Sequence, residues 1–226
     1  MIARKLYGDT NSERFEVDER IQELKELTRY QNRIIQARSK NKTLYVRLLD
    51  IMFPEFAKIV GNVHNNYVYD LLTSYPTPRH YDQQIDEIQS QINELLNLID
   101  SPILSITGIG NRLGAIILAE TKNIDNFSSP AQLQAFAGLD PSIYQSGQMD
   151  NSGRMVKRGS HYLRYALMMA AESICRYSPH FKAYLALKRS QGKHYYVAVS
   201  HAAKKLIRVI YHLLKTNQTF DETKLR

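Results

Sequence analysis

Two stretches of the chain hold the residue types that act on phosphate. The first is Ile106-Thr107-Gly108-Ile109-Gly110, running into Leu113-Gly114-Ala115-Ile116-Ile117-Leu118. Glycines at 108 and 110 permit turn angles and a close approach that a side chain blocks. The small pair Gly114 and Ala115 lets two helices cross closely. A helix starting after the turn offers unpaired N–H groups and the positive end of its dipole to one phosphate. This is the helix-hairpin-helix pattern, which binds without regard to base sequence; a tight helix–helix turn with no ligand reads the same way. The second stretch is Gln145-Ser146-Gly147, followed by Arg154, Lys157, Arg158 and Arg164. A serine attacks a phosphodiester when its hydroxyl is exposed, when cations stabilise the developing charge, and when a base takes its proton. Gly147 and the polar loop favour exposure, and the four cations supply charge, arginine being the better bidentate clamp. Asp140, Asp150 and His161 are candidate bases by proximity alone. The plainer alternative for Gln-Ser-Gly is an ordinary structural loop.

A third basic feature is the run Lys204, Lys205, Arg208, His212 and Lys215 at helical spacing near the end of the chain. It reads as a nucleic-acid contact or as a solvated face. Tyr195 and Tyr196 offer rings for base stacking, or core and rim packing. Other chemistries find little support. A two-metal phosphoryl-transfer centre needs several converging carboxylates. Asp9, Glu16 and Asp18 lack apolar runs to hold them, and Glu120 and Asp125 lie too far from a second acidic pair. The seven histidines are scattered and Cys175 is the single cysteine, so neither a metal site nor a cofactor is expected in this chain. A reducing cytoplasm fits that cysteine usage.

The net charge of +8 conceals an asymmetry. Residues 1–149 carry 15 Lys/Arg and 18 Asp/Glu, a net −3; residues 150–226 carry 15 Lys/Arg against Asp150, Glu172, Asp221 and Glu222, a net +11. A one-sided field of that size draws polyanions and speeds their encounter. An anionic membrane is the weaker target, because no terminal helix shows a strongly amphipathic Trp/Phe face and no apolar run is long enough to span a bilayer. No cleavable leader is expected at the start.

The elements that must position these residues are mainly helical, and the length of 226 residues suggests two units, 1–100 and 101–226. From Glu16 to about Met52 there is no proline or glycine, and apolar residues recur at Val17, Ile21, Leu24, Leu27, Ile34, Ile35, Leu44, Leu48 and Leu49, with a polar gap between Ile35 and Leu44. Pro54 ends this helix. A short helix over Tyr67–Leu72 is closed off by Tyr75-Pro76-Thr77-Pro78, and a second long helix runs from about Tyr81 to Ile99. Its Ile85, Ile88, Ile92, Leu95 and Ile99 follow the four-and-three spacing of a coiled-coil seam. The two long helices are expected to pair antiparallel, within one chain or between chains; ordinary packing inside a globule is the alternative.

The second unit opens at Ser101-Pro102. Ser129-Pro130 caps and starts a helix with Leu133 and Phe136 inward, stopped by Gly138. Residues 139–159 read as a loop or short hairpin. Ser160 caps a helix burying Leu163, Leu167, Ala170, Ala171 and Ile174, and Ser178-Pro179 starts another through Phe181, Tyr184, Leu185 and Leu187. The last helix, from about Tyr195 to Lys215, buries Val199, Ala202, Leu206, Val209, Ile210 and Leu213. The expected class is all-α in the main: a long antiparallel helical hairpin followed by a compact helical domain.

The ordered series Ser105-Ile-Thr-Gly-Ile-Gly110, Phe127-Ser128-Ser129 through Ala135-Phe136-Ala137-Gly138-Leu139, Gln145-Ser146-Gly147, and Val156-Lys157-Arg158-Gly159 with Leu163-Arg164 resembles the carboxy-terminal domain of the transposases of insertion-sequence family 110. Ala202-Ala203-Lys204-Lys205-Leu206 with Tyr211 fits as well, as do Leu27-Thr28-Arg29-Tyr30 and Phe53-Pro54-Glu55-Phe56 upstream. The resemblance implies a DNA recombinase that mobilises an insertion element. It acts as a homo-oligomer on element ends and target DNA, in some members with a guide RNA, in the prokaryotic cytoplasm at the nucleoid. It also implies that Ser146 is the nucleophile forming a transient phosphoserine link, with the cations at 154, 157, 158 and 164 holding the phosphodiester. Such transposases carry an amino-terminal nuclease domain with a DEDD set of acids for divalent metal, Mg being the expected ion. Only its end is recognisable, at Ala3–Gly8, and the segment after Pro78 is short, so the expectation is a truncated enzyme. A non-catalytic DNA- or RNA-binding remnant and a helical oligomerisation protein are the competing readings.

Overall fold

The computed structural model describes residues 18–55, 76–146 and 149–225, with backbone alone at 76–79, 142–146 and 149–154. The Tyr67–Leu72 helix and everything expected of residues 1–17 lie outside the described residues. Helix α1 spans Glu19–Met52, capped by Asp18, whose side chain accepts from the Arg20 N–H at 3.0 Å. Helix α2 spans Pro76–Ile99. It begins five residues ahead of the expected Tyr81 because Pro76 and Pro78 occupy the first turn, where a missing N–H costs nothing and φ is preset. The two helices run antiparallel within one chain: Gln31 Nε2 donates to Gln89 Oε1 (2.9 Å), Arg38 pairs with Asp82, and Asn41 Nδ2 donates to the Tyr81 hydroxyl (2.9 Å). Ile88, Ile92 and Leu95 of the expected seam are buried, joined by Leu96. On α1 the buried set is Leu24, Thr28, Gln31 and Asn32, so much of this pairing is polar. Leu44 and Leu48, expected on the apolar stripe, are exposed; among the described residues the side-chain contacts of the pair reach as far as Asn41.

A 3-10 turn at Pro102–Ser105 leads into α3 (Asn111–Thr121), whose residues 114–121 are all buried. A second 3-10 turn at Ile124–Asn126 precedes α4 (Pro130–Phe136). Then comes an antiparallel hairpin, β1 (Pro141–Ser146) and β2 (Met149–Met155); of the loop and the short hairpin expected for residues 139–159, it is the hairpin. Helices α5 (His161–Tyr177), α6 (Pro179–Ser190) and α7 (Tyr195–Thr216) complete the bundle, with a 3-10 turn at Glu222–Lys224. Ser129, Ser160 and Ser178 each accept a hydrogen bond from the backbone three residues on, as N-caps do. The hydrophobic core is continuous from Leu24 and Ile92 through α3 and α5 to Ile210 and Leu213. Phe136, expected inward, is 38% exposed. It rests on Phe127 with ring centroids 5.4 Å apart. Among the described residues no helix is long and apolar enough to cross a membrane.

Candidate nucleic-acid interface

The hairpin stands on a foot built by two glycines. Gly138 (φ +67°) ends α4: its N–H donates to the Ala135 carbonyl (2.9 Å) and the Leu139 N–H to the Gln134 carbonyl (3.2 Å). A Cβ at Gly138 would fall 2.2 Å from the Arg158 carbonyl oxygen, and one at Gly159 (φ +100°) 2.0 Å from the Phe136 oxygen. The two ends of the excursion therefore touch backbone to backbone, a contact only glycine allows. The Val156 N–H donates to the Asp140 carbonyl (2.9 Å) and the Ser160 N–H to that of Phe136 (3.0 Å). Arg164 ties the foot together, donating from one guanidinium nitrogen to the carbonyls of Ala137 (3.3 Å) and Lys157 (3.1 Å). Arg164 thus has a structural engagement that its position in the sequence did not reveal.

Ser146 is the last residue of β1, paired with Met149 across the turn, so it stands at the tip of the hairpin. Arg154 lies at the other end of the ladder, beside the irregularity between Pro141 and Ile143. Four residues of strand separate Ser146 from Ser142, about 13 Å at 3.3 Å per residue. Lys157 and Arg158 are exposed at the foot, in the segment that closes on Gly138. The structure therefore brings Lys157, Arg158 and Arg164 together at the foot, with the backbone of Arg154 on β2 next to it, and sets the backbone of Ser146 a strand's length away. Of the candidate bases, Asp150 pairs with Gln145, one step from the tip. Asp140 accepts a short hydrogen bond from Gln134 Nε2, and His161 stacks on Tyr162 at 4.0 Å between ring centroids; both lie at the foot.

The glycine turn sits at the opposite end of α3. Gly108 (φ +92°) faces α5, where a Cβ would come within 3.0 Å of Ser173 Oγ and 3.1 Å of the Ile174 nitrogen. Gly110 is open, with nothing within 4 Å of its would-be Cβ. It caps α3 without any side-chain hydrogen bond, which leaves the first-turn N–H groups without a side-chain acceptor. Arg112, the second helical residue, has its Nε buried with no hydrogen-bond partner among the described residues. The helix before the turn is a single 3-10 turn, where the motif expects an α-helix. Eleven residues of α3 put about 16 Å between this turn and the end of the helix that meets the hairpin foot.

That far end of α3 carries Glu120, an acid in an otherwise apolar run and 1% exposed at its side chain. Arg29 of α1 grips it with both nitrogens (2.7 and 3.1 Å), Lys25 lies 3.9 Å away, and Ser160 Oγ donates to it at 2.7 Å. The same Ser160 oxygen caps α5, and the Arg29 guanidinium lies 5.1 Å from the Tyr162 ring centroid. Burial opposes ionisation of Glu120, but the hydrogen bonds from Arg29 and Ser160 and the charges of Lys25 and Arg29 outweigh it, so its carboxyl titrates below the usual range. One carboxylate thus locks the long hairpin, α3 and the hairpin foot together. The signal for it was present: a lone acid inside Ala115–Thr121 demands a partner, though not which one.

The basic face of α7 is divided. Lys215 pairs with Asp125 at 2.5 Å, and Lys205 is engaged by His180 and lies 5.0 Å from the Tyr184 ring centroid. Lys204 is half-buried, while Arg208 and His212 are exposed. Among the described residues no three His, Cys, Asp or Glu side chains converge to hold a metal.

The chain is a mainly helical bundle that carries a glycine-staked β-hairpin and a basic second half. Residues 100–186 match the sequence profile of the Transposase IS116/IS110/IS902 family. The chain is 27% identical over 194 residues to the insertion element IS110 uncharacterized 43.6 kDa protein of Streptomyces coelicolor, covering 83% of the chain and 47% of that protein. It is 28% identical over 153 residues to the pilin gene-inverting protein of Moraxella bovis (64% of the chain, 47% of that protein), and 30% identical over 119 residues to the insertion element IS900 uncharacterized 42 kDa protein of Mycobacterium paratuberculosis (52% and 30%). The chain spans less than half the length of these curated relatives.

Proposed function

We propose that this chain is the DNA-handling part of a transposase, with Ser146 at the tip of the β-hairpin as the nucleophile on a DNA phosphodiester. In the step envisaged, the serine oxygen bonds to phosphorus as one phosphorus–oxygen bond to a sugar breaks. The hydroxyl proton passes to a base, for which Asp150 has the nearest backbone position, and the departing sugar oxygen takes up a proton. The observation that carries the reading is the hairpin itself: a foot fixed by Gly138, Gly159 and Arg164, holding Ser146 out from the helical body. Arg154, Lys157 and Arg158 at the foot then contact a neighbouring phosphate, since the ladder keeps them from the one at the tip. Charge stabilisation at Ser146 comes from outside this hairpin.

The turn at Gly108–Gly110 takes a further backbone phosphate at the start of α3, a role supported by its open, uncapped N-terminus and the unpartnered Arg112 Nε. Lys204 and Arg208 add non-specific attraction. Self-association along the far half of α1, where Leu44, Leu48, Ile51 and Met52 are exposed, belongs to the same reading. The test is incubation with element-end DNA followed by denaturing electrophoresis. The reading expects a protein–DNA adduct that vanishes in Ser146→Ala; an adduct that persists in that variant overturns Ser146 as nucleophile. Salt-steep binding without any adduct marks a binding protein only.

A further inference from the structure

After α7 the chain doubles back on itself. Asn217 turns in the left-handed region (φ 51°), and residues 218–225 form a strap along the helix. The strap is anchored twice. The Phe220 N–H donates to Ser105 Oγ (2.7 Å), and Glu222 accepts from Ser178 Oγ and from the His180 N–H (3.4 Å), which fastens it to the start of α6. Between strap and helix lies a cleft of about 520 Å³.

Two kinds of side chain meet in it. Tyr184 and Phe220 bring aromatic rings, while Lys204, Arg208 and Lys224 bring charge. Asp221 is the only acid lining it among the described residues; its carboxylate is held by the Thr223 N–H (3.0 Å) and hydroxyl (2.6 Å), and its other oxygen lies 3.8 Å from the exposed Lys224 ammonium. That leaves Lys204 and Arg208 without a facing anion. The local excess of positive charge also tells on His201, which burial and the neighbouring Lys204, Lys188 and Lys193 push below the usual imidazole value.

We infer that this cleft holds an unpaired nucleotide of a single-stranded nucleic acid, phosphate on Lys204, Arg208 and Lys224 and base against Tyr184 and Phe220. The volume is that of a small-molecule pocket; a duplex is far too large to enter and keeps its bases stacked away from any protein ring. Rings beside a cationic track are what single strands use, because every base has a stacking face while the charges follow the backbone. Gln218 and Thr219, also in the lining, offer hydrogen bonds to base edges or sugar. The inference rests on the reading of α7 as a nucleic-acid face and goes beyond it by naming an unpaired strand and the strap that receives it.

The test uses the whole chain and fluorescence anisotropy at about 150 mM salt, with one sequence presented as single-stranded DNA, single-stranded RNA and duplex DNA. Tyr184→Leu should weaken single-strand binding by about tenfold and leave duplex binding unchanged. Because Phe220→Ala could loosen the strap, photocrosslinking of the unaltered protein to a 5-iodouracil strand supplies a second readout, with adducts expected on Tyr184 or Phe220. Binding by either sugar supports the cleft and tells which strand it prefers. Single strand and duplex bound alike, with Tyr184→Leu neutral and adducts elsewhere, overturns the inference alone. No binding to any nucleic acid overturns it together with the reading beneath it.

Discussion

Replacing Glu120 by glutamine should be among the costliest single changes in the protein, although Glu120 touches no substrate. The substitution strands two cations that face one buried oxygen pair: Arg29, 41% exposed at its side chain, and Lys25, 17% exposed. Removing one partner of a buried ion pair costs about 3–5 kcal/mol. The partial hydration of Arg29, and the acceptor that glutamine still offers Ser160, reduce this to about 2–3 kcal/mol. For a chain of this size that lowers Tm by about 4–12 °C, read by circular dichroism. The pH dependence is a stricter check. A carboxyl whose folded-state pKa lies below its unfolded value of about 4.3 contributes stability that is fully present above that value and lost as pH falls through the folded-state pKa. The gap between the parent chain and Glu120→Gln should therefore hold constant from about pH 8 to 6 and close progressively below about pH 4. A cost under about 0.5 kcal/mol, or a gap indifferent to acid, would refute the claim that this carboxylate locks the helical hairpin to the foot of the β-hairpin.

Three further outcomes follow from the geometry. Gly138→Ala places a methyl 2.2 Å from the Arg158 carbonyl oxygen at a φ of +67°, so denaturant unfolding should show a loss of about 2 kcal/mol or more. Gly110→Ala meets no atom within 4 Å, so it should unfold within about 1 kcal/mol of the parent yet bind duplex DNA more weakly in gel-shift titrations, because its methyl crowds the phosphate at the start of α3. Arg158→Gln should lower duplex affinity equally for all sequences and reduce the slope of log affinity against log salt by about 1.

What could be read in the sequence was local. Ser129-Pro130, Ser160 and Ser178-Pro179 announced three helix starts because a cap acts within three residues of itself. The stops at Phe53-Pro54 and Gly138, and the pairing of α1 with α2, were legible for the same reason: turn chemistry and periodicity belong to short stretches of chain. Pro76-Thr77-Pro78 misled because proline both closes one segment and suits the first turn of the next. The partners of Glu120 could not be foreseen, since Arg29 and Ser160 lie 91 and 40 residues away in the chain. The same holds for Arg164, whose type suggested a phosphate clamp while its hydrogen bonds go to the carbonyls of Ala137 and Lys157. Ser146 was visible as a serine beside glycine; its distance from Arg154 depended on strand register, which only pairing with Met149–Met155 could set.

The account turns on a covalent bond at one hydroxyl. DNA carrying a bridging phosphorothiolate at the element end gives up a thiolate that reattacks poorly, so any serine–phosphorus link accumulates and survives digestion. Mass spectrometry of the peptides should find the nucleotide on the hairpin-tip peptide at Ser146, and nowhere in Ser146→Ala. A nucleotide mapped to any other residue, with Ser146 unmodified, would contradict it.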